Sequence, residues 1–197
     1  MRVLDLFSGL GGASQAFLDA GWEVIRIENN PALGYVDDTI IMDCRELLNS
    51  ILIDEIWQQE FDLIWASPPC LEFSNACNAP KSIARRNGID FQPNMELMKT
   101  AKEIIDYAQP KYWVIENVIG AQEFFNPILG KPIQIINSFC LWGKFPQIIM
   151  PPNYKHLKHD TGPTNPLRAN IRAIIPLEVS EQLRRSIEEQ TTLEDWL

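Results

Sequence analysis

The sequence predicts an α/β fold, with a mostly parallel sheet and helices on both faces. Three observations carry this. Short apolar runs alternate with helical spacing over residues 1–118, glycine or proline closes most runs, and the chemically unusual residues fall just after them. Residues 2–7 (RVLDLF) read as a strand running into the turn Ser8-Gly9-Leu10-Gly11-Gly12. Residues 13–20 read as a short helix, with Gly21 as its stop. Residues 22–28 (WEVIRIE) form the second strand and 39–42 a short third. Residues 45–59 have helical spacing through Leu47, Leu48, Ile51, Leu52 and Ile56. Residues 61–66 (FDLIWA) are the fourth strand, ending at Ser67-Pro68-Pro69-Cys70. A helix over 95–108 and a fifth strand over 111–115 follow, the latter ending in Glu116-Asn117. This alternation requires parallel crossovers. Past residue 118 the pattern weakens: 132–136 and 147–150 read as strands, 151–166 as polar loop, and 180–190 as an amphipathic helix capped by Ser180.

With 197 residues, 46% apolar and 22% charged, the chain has the size and balance of one globular domain, 1–197. No apolar run reaches the ~20 residues of a membrane helix, and the N-terminus lacks a signal-peptide layout, so a cytoplasmic location is expected. Cys44, Cys70, Cys77 and Cys140 are too few and irregular for a disulfide scaffold, and no CxxC or Cys/His pairing supports a metal site. A net charge of −9 argues against a polyanionic partner until its distribution is considered. Residues 1–73 hold 3 Lys/Arg against 13 Asp/Glu, whereas 74–172 hold 12 against 7. The basic middle is either a surface for nucleic acid or a set of solvated helix faces.

Ligands of such sheets bind at the carboxyl ends of the strands. There the first strand delivers a glycine loop that lets backbone N–H groups approach a ligand, although any tight strand-to-helix turn uses glycine too. Glu28, at the second strand end, can accept from both hydroxyls of a ribose. Asp43, at the third, can take an adenine amino group or cap the segment starting at Cys44, and the two roles are compatible. No GxxxxGK[ST] or GxGxxG is present, and two strand-end acids suit a sulfonium better than a pyrophosphate. Pro68-Pro69 stiffens the chain before Cys70, which favours an available thiol nucleophile over a buried small hydrophobe. Glu116, between apolar flanks, is either a carboxyl with a raised pKa or a cap of the next helix.

Taken together, these motifs resemble the cytosine-C5 DNA methyltransferases over most of residues 1–145. The residues that carry the resemblance are Asp5-Leu6-Phe7-Ser8-Gly9-Leu10-Gly11-Gly12, then Glu28 and Asp43, then Pro68-Pro69-Cys70 with Phe73-Ser74, then Glu116-Asn117-Val118. The resemblance implies a Rossmann-like methyltransferase fold that uses S-adenosyl-L-methionine. It places the donor against Phe7, Ser8, Gly9, Leu10, Gly11, Gly12, Glu28, Asn29, Asp43, Cys44, Pro69 and Leu97. Cys70 and Glu116 become catalytic, acting on a cytosine flipped from double-stranded DNA. Ser74, Lys81, Arg85, Arg86 and Asn117 become nucleic-acid contacts.

The chain departs from the family in three places. Leu141-Trp142-Gly143-Lys144-Phe145-Pro146-Gln147 lacks the Gln-x-Arg-x-Arg arginines, leaving Arg168 or Arg172 as substitutes. The closing Gly-Asn-Ser-Val is replaced by Arg172-Ala173-Ile174-Ile175-Pro176-Leu177. Only a short loop-rich segment, about 151–170 with His156, Lys158 and His159, stands where the family keeps its target-recognition region. Three alternatives stay open: an RNA cytosine-C5 methyltransferase, an amino-methyltransferase, and a cofactor-binding regulatory subunit. The last needs a separate recognition subunit, and a homodimer is the other assembly considered.

Overall fold

Alternation along the strands sorts the side chains into two cores, one on each face of a single sheet. The computed structural model describes residues 1–48, 60–157, 162 and 164–194. Its strands are β1 (Arg2–Leu6), β2 (Glu23–Glu28), β3 (Thr39–Ile41), β4 (Leu63–Ala66), β5 (Tyr112–Val118), β6 (Gln134–Ile136) and β7 (Phe139–Lys144). Their order is β3-β2-β1-β4-β5-β7-β6. The first five run parallel, and β7 lies antiparallel between β5 and β6. The helices are α1 (Gln15–Asp19), α2 (Pro80–Arg86), α3 (Glu96–Ala108), α4 (Gln122–Leu129), α5 (Arg168–Arg172) and α6 (Leu177–Glu194). The expected Rossmann-like architecture is the one observed.

Leu4, Leu6, Ile64, Ala66, Ile115 and Trp142 pack with Met98, Ala101, Ile104 and Ile105 of α3 and with Phe125 of α4. Their strand neighbours Val3, Leu63, Trp65, Val114 and Leu141 pack with Phe17 of α1 and Val179, Leu183 and Ile187 of α6. A strand buried on both faces is apolar at nearly every position, which is why the central strands read so clearly.

The structure departs from expectation mainly after residue 118. Residues 147–150 form no strand. The strand is Phe139–Lys144, turned back from β6 through Asn137, whose φ of 54° makes the tight reversal. Gly143 inside β7 masked it in the sequence, yet a side chain there would meet the Trp113 carbonyl at 2.0 Å. Helix α4 was hidden by Pro127 within it and by Gly120 and Gly130 around it. Helix α6 starts at Leu177, so Ser180 lies inside it and donates to the Leu177 carbonyl rather than capping. The helix expected over 45–59 begins as a 3-10 turn, Cys44–Glu46, and most of it lies outside the described residues.

Trp142 joins the two antiparallel strands to α4. It is fully buried, its ring centroid is 5.2 Å from that of Phe125, and its indole N–H donates to Asn126 Oδ1 and Gly130 O. Trp142→Ala is expected to cost about 3–5 kcal/mol, read as a lower urea midpoint with an unchanged slope.

Candidate active site

At the carboxyl edge, β1 gives way to a loop with three left-handed residues in five: Phe7 (φ 59°), Gly9 (54°) and Gly11 (76°). The two glycines adopt that conformation freely, whereas Phe7 is strained in it. The Gly11 N–H closes the turn onto the Ser8 carbonyl at 2.8 Å. Glu28 holds the loop from the side. Its Oε2 accepts the Gly9 N–H and its Oε1 the Asn30 N–H, each at 2.9 Å. Every carboxylate oxygen has two lone pairs, so each retains one for a ligand hydroxyl. The Ser8 hydroxyl is buried with no partner among the described residues. These features fit a ribose-bearing ligand. Leu10 is half-buried and Asn29 exposed at the same edge. Gly12 serves packing: a side chain there would lie 2.4 Å from the Ile175 carbonyl.

Asp43 caps the 3-10 turn, accepting the Arg45 N–H at 2.9 Å, and its carboxylate also receives the Arg45 guanidinium. Those bonds hold it below the usual carboxylate range. Arg45 reaches on to Glu96 at 3.3 Å, so the capping reading is realised and the strand end is tied to α3. Cys44 is buried and its thiol pushed up to about 12, chiefly by burial, which makes it a neutral packing group. Leu97, in the first turn of α3, packs on that core. Hollows of about 560 and 370 Å³ lie elsewhere, the first under residues 34–40 and the second between Arg45 and α3. Neither is lined by Cys70 or Glu116.

The loop after β4 is fastened from β5. Ser67 makes the last ladder bond, its N–H to the Leu6 carbonyl at 3.2 Å. Pro68 and Pro69 have no N–H to continue it. The buried Asn117 side chain takes over: its amide donates to the Pro68 carbonyl and its Oδ1 accepts the Val118 N–H, each at 2.9 Å. Pro69 is thereby exposed and Cys70 half-buried. Beside it, Ser67 accepts the Trp65 indole N–H at 2.8 Å and hydrogen-bonds Glu116. Burial pushes the Glu116 carboxyl up to about 7, against the opposing effect of that bond. Gly120 lies under the far side of the loop, where a side chain would meet the Phe73 carbonyl at 2.2 Å.

The residues expected on nucleic acid divide. Arg85 is exposed on α2 and Ser74 half-buried, its hydroxyl accepting the Ala76 N–H. The Arg86 guanidinium donates to the Cys77 carbonyl at 2.6 Å but remains exposed. Lys81 is turned inward, donating to the Gly120 carbonyl at 3.0 Å and pairing with Glu123 at 2.7 Å. It therefore staples the loop to α4 rather than reaching outward. Asn117 is likewise beneath the loop, 1% exposed, and not on its surface. Arg168 and Arg172 occupy the short α5, and Arg172 is exposed. The His156 ring meets Phe139, at the start of β7, with centroids 5.3 Å apart. Lys158 and His159 lie outside the described residues. Sequence reasoning missed Ser67 and Gly120. Ser67 was legible only as the residue two after Trp65, Gly120 only as a glycine after the Glu-Asn-Val motif. Among the described residues no group of three or more His, Cys, Asp or Glu is arranged for a metal.

A carboxyl whose pKa is raised by folding stabilises the fold below its ordinary value, and that stabilisation is lost as pH rises through the folded value. For Glu116 the window runs from about 4.5 to about 7. Glu116→Gln is expected to flatten part of the fall in unfolding free energy across that window, measured by urea titration at several pH values. Asp5, also raised to about 7 by burial, accounts for a remaining slope. Gly120→Ala is expected to displace the Cys70 loop while leaving the sheet intact, seen as faster labelling of Cys70 by a thiol reagent with unchanged far-UV dichroism.

A family model described as C-5 cytosine-specific DNA methylase matches residues 1–136. A Frog virus 3 (isolate Goorha) protein named "Probable DNA (cytosine-5)-methyltransferase" is 30% identical over 123 residues, 59% of this chain and 53% of its own. The Type II methyltransferase M.HgiGI of Herpetosiphon aurantiacus is 30% identical over 130 residues, 62% of this chain and 94% of its own. The match thus spans about half of the viral relative and nearly all of M.HgiGI. A solved E. coli protein, described as a "putative DNA modification methyltransferase" encoded within a prophage, aligns with 73% of this chain and 46% of its own, at a TM-score of 0.47 and 22% identity. With the family's four motifs arrayed along one sheet edge and its model matched over 136 of the 197 residues, this chain belongs to the C-5 cytosine-specific DNA methylases.

Proposed function

We propose that the chain is an S-adenosylmethionine-dependent DNA (cytosine-5-)-methyltransferase, acting on a cytosine flipped out of double-stranded DNA. The observation that carries this reading is the Asn117 bond to Pro68. It fastens the Cys70 loop to the strand presenting Glu116, at the edge that also holds the glycine loop. When bound, S-adenosylmethionine supplies a methyl group made electrophilic by its sulfonium. Residues Phe7 to Gly12 receive it, and Glu28 accepts from its ribose hydroxyls. The three bonds Asp43 accepts from Arg45 leave one lone pair, on Oδ2, for the adenine amine, with Cys44, Pro69 and Leu97 as neighbours.

Flipping costs a few kcal/mol. The Cys70 thiolate adds to C6, forming an S–C6 bond, and the electron pair of the C5=C6 bond moves into the ring toward C5 and N3. Glu116 answers that charge. Protonated, it donates to N3; its other oxygen accepts from the exocyclic amine. A carboxyl titrating near 7 can hold that proton at neutral pH, which an ordinary glutamate cannot. C5 takes the methyl group as its bond to the sulfonium sulfur breaks and S-adenosylhomocysteine leaves, and N3 later returns its proton to Glu116. Loss of the C5 proton restores the double bond and expels Cys70 as thiolate.

Ser74, Arg85 and Arg86 border the Cys70 loop and meet phosphates, and Arg168 or Arg172 takes the place of the missing arginine pair. The shortness of segment 151–170 favours target recognition shared with a separate subunit or a second copy.

The test is methyl transfer from labelled S-adenosylmethionine to mixed-sequence duplex DNA, with the modified base identified. Product at C5 of cytosine is expected. Cys70→Ser should lower the rate by about three orders of magnitude or more without weakening S-adenosylmethionine binding. Duplex carrying 5-fluorocytosine, which has no C5 proton to lose, should trap a covalent adduct visible by mass. Transfer to RNA alone, or to an amino group, would overturn the assignment. The rate should decline above about pH 7 as Glu116 loses its proton, and Glu116→Gln should remove that decline.

A further inference from the structure

β2 carries a residue out of keeping with its surroundings. Val24 and Arg26 face the same side of the sheet, toward α1, where an aliphatic side chain would be buried without desolvating a charge. Instead the Arg26 guanidinium is fully buried. It donates from Nε to Ser14 Oγ at 2.8 Å, from one terminal nitrogen to the Asp37 carbonyl at 2.8 Å, and from the other to the Gly11 carbonyl at 3.3 Å and Gln15 Oε1 at 3.0 Å. All four acceptors are neutral. A carboxylate is reached one bond further on, where the Ser14 hydroxyl donates to Asp5 Oδ2 at 2.6 Å. The second Asp5 oxygen is buried without a partner among the described residues.

The guanidinium is also fitted to the glycine loop by shape. A side chain on Gly11 would stand 2.7 Å from Arg26 Cζ, so the loop lies directly on the planar group. Arg26 thus touches the loop at Gly11 and at Ser14, the residue where α1 begins, and ties both to the β2–β3 connection through Asp37.

We infer that Arg26 is a positioning residue for the methyl donor: from beneath the glycine loop it fixes the Gly11 carbonyl and, through Ser14 and Asp5, the angle between β1 and α1. It touches no substrate. Glu28, two residues further along β2, holds the same loop through the Gly9 N–H, so two charged side chains of one strand fasten it. The donor-binding part of this inference rests on the function proposed above; the loop-holding part does not.

The experiment uses the full chain and the variants Arg26→Met, Arg26→Lys and Ser14→Ala. Without donor, amide hydrogen exchange at Gly9 and Gly11 should accelerate in Arg26→Met and Ser14→Ala, while the central strands stay protected. Titration with S-adenosylmethionine and with S-adenosylhomocysteine should then give one site of about tenfold weaker affinity in Arg26→Met, with Arg26→Lys recovering part of it. The affinity for duplex DNA should not change. A merely structural arginine would lower the fraction of binding-competent molecules at unchanged affinity, and that result overturns the inference. If Arg26→Met fails to fold, Ser14→Ala carries the test, and unaltered exchange and affinity in that variant overturn it equally. A wild-type chain that binds no donor would instead overturn the proposed function, with the exchange result still deciding what Arg26 does.

Discussion

The amide of Asn117 performs a task the backbone at that place cannot. A parallel ladder continues only while each strand offers N–H groups, and β4 runs into two prolines that have none. Without another donor, the chain after Ser67 would leave the sheet in an unspecified direction. The carboxamide spans the gap, one end on the Pro68 carbonyl and the other on its own strand's Val118 N–H. Being buried, it exchanges neither bond for water, and its loss would leave polar groups stranded in a dry interior. The position of Cys70 relative to Glu116 follows from this one side chain. So does the packing of the following loop on Gly120, which Lys81 then seals against Glu123.

The electrostatics of the edge depend on depth. Asp43, near the surface, is satisfied by Arg45 and kept ionised. Glu116, walled by apolar strands and hydrogen-bonded by Ser67, is pushed toward neutrality by its burial. Two carboxyls a few strands apart are thus pushed in opposite directions by burial and by the choice of partner. An acidic chain can carry such an edge because its acids are spent on internal contacts there: Glu28 on two backbone N–H groups, Asp43 on a cap, Asp5 on Ser14.

The first five strands and the motif residues at their ends were legible because a strand buried on both faces must be apolar and its exit must be punctuated. Glu28, Cys70 and Glu116 stood out as chemistry against that background. The antiparallel hairpin was less legible. Gly143 breaks the pattern of β7, and what requires a glycine there is the Trp113 carbonyl, a neighbour only in three dimensions. The same holds for Lys81 and Asn117. The family resemblance implied contact with nucleic acid for both, whereas in the structure both turn inward, because a lysine or an amide beside an unpaired carbonyl is drawn to it wherever the fold supplies one. Ser14 illustrates the limit best. It directly precedes α1 but spends its hydroxyl on Asp5 and Arg26 rather than on the helix, a choice set by residues nine and twelve positions away.

Gly12 ties the beginning of the chain to its end. The Ile175 backbone lies so close that only hydrogen fits between them, and α6 continues from there across the sheet beside α1. The glycine turn and the wall that supports it lie more than 160 residues apart in the sequence. Without α6 that face of the central strands would lose Val179, Leu183 and Ile187 from its cover. The shape of the glycine turn at one edge of the sheet therefore depends on closure of the second core across its face.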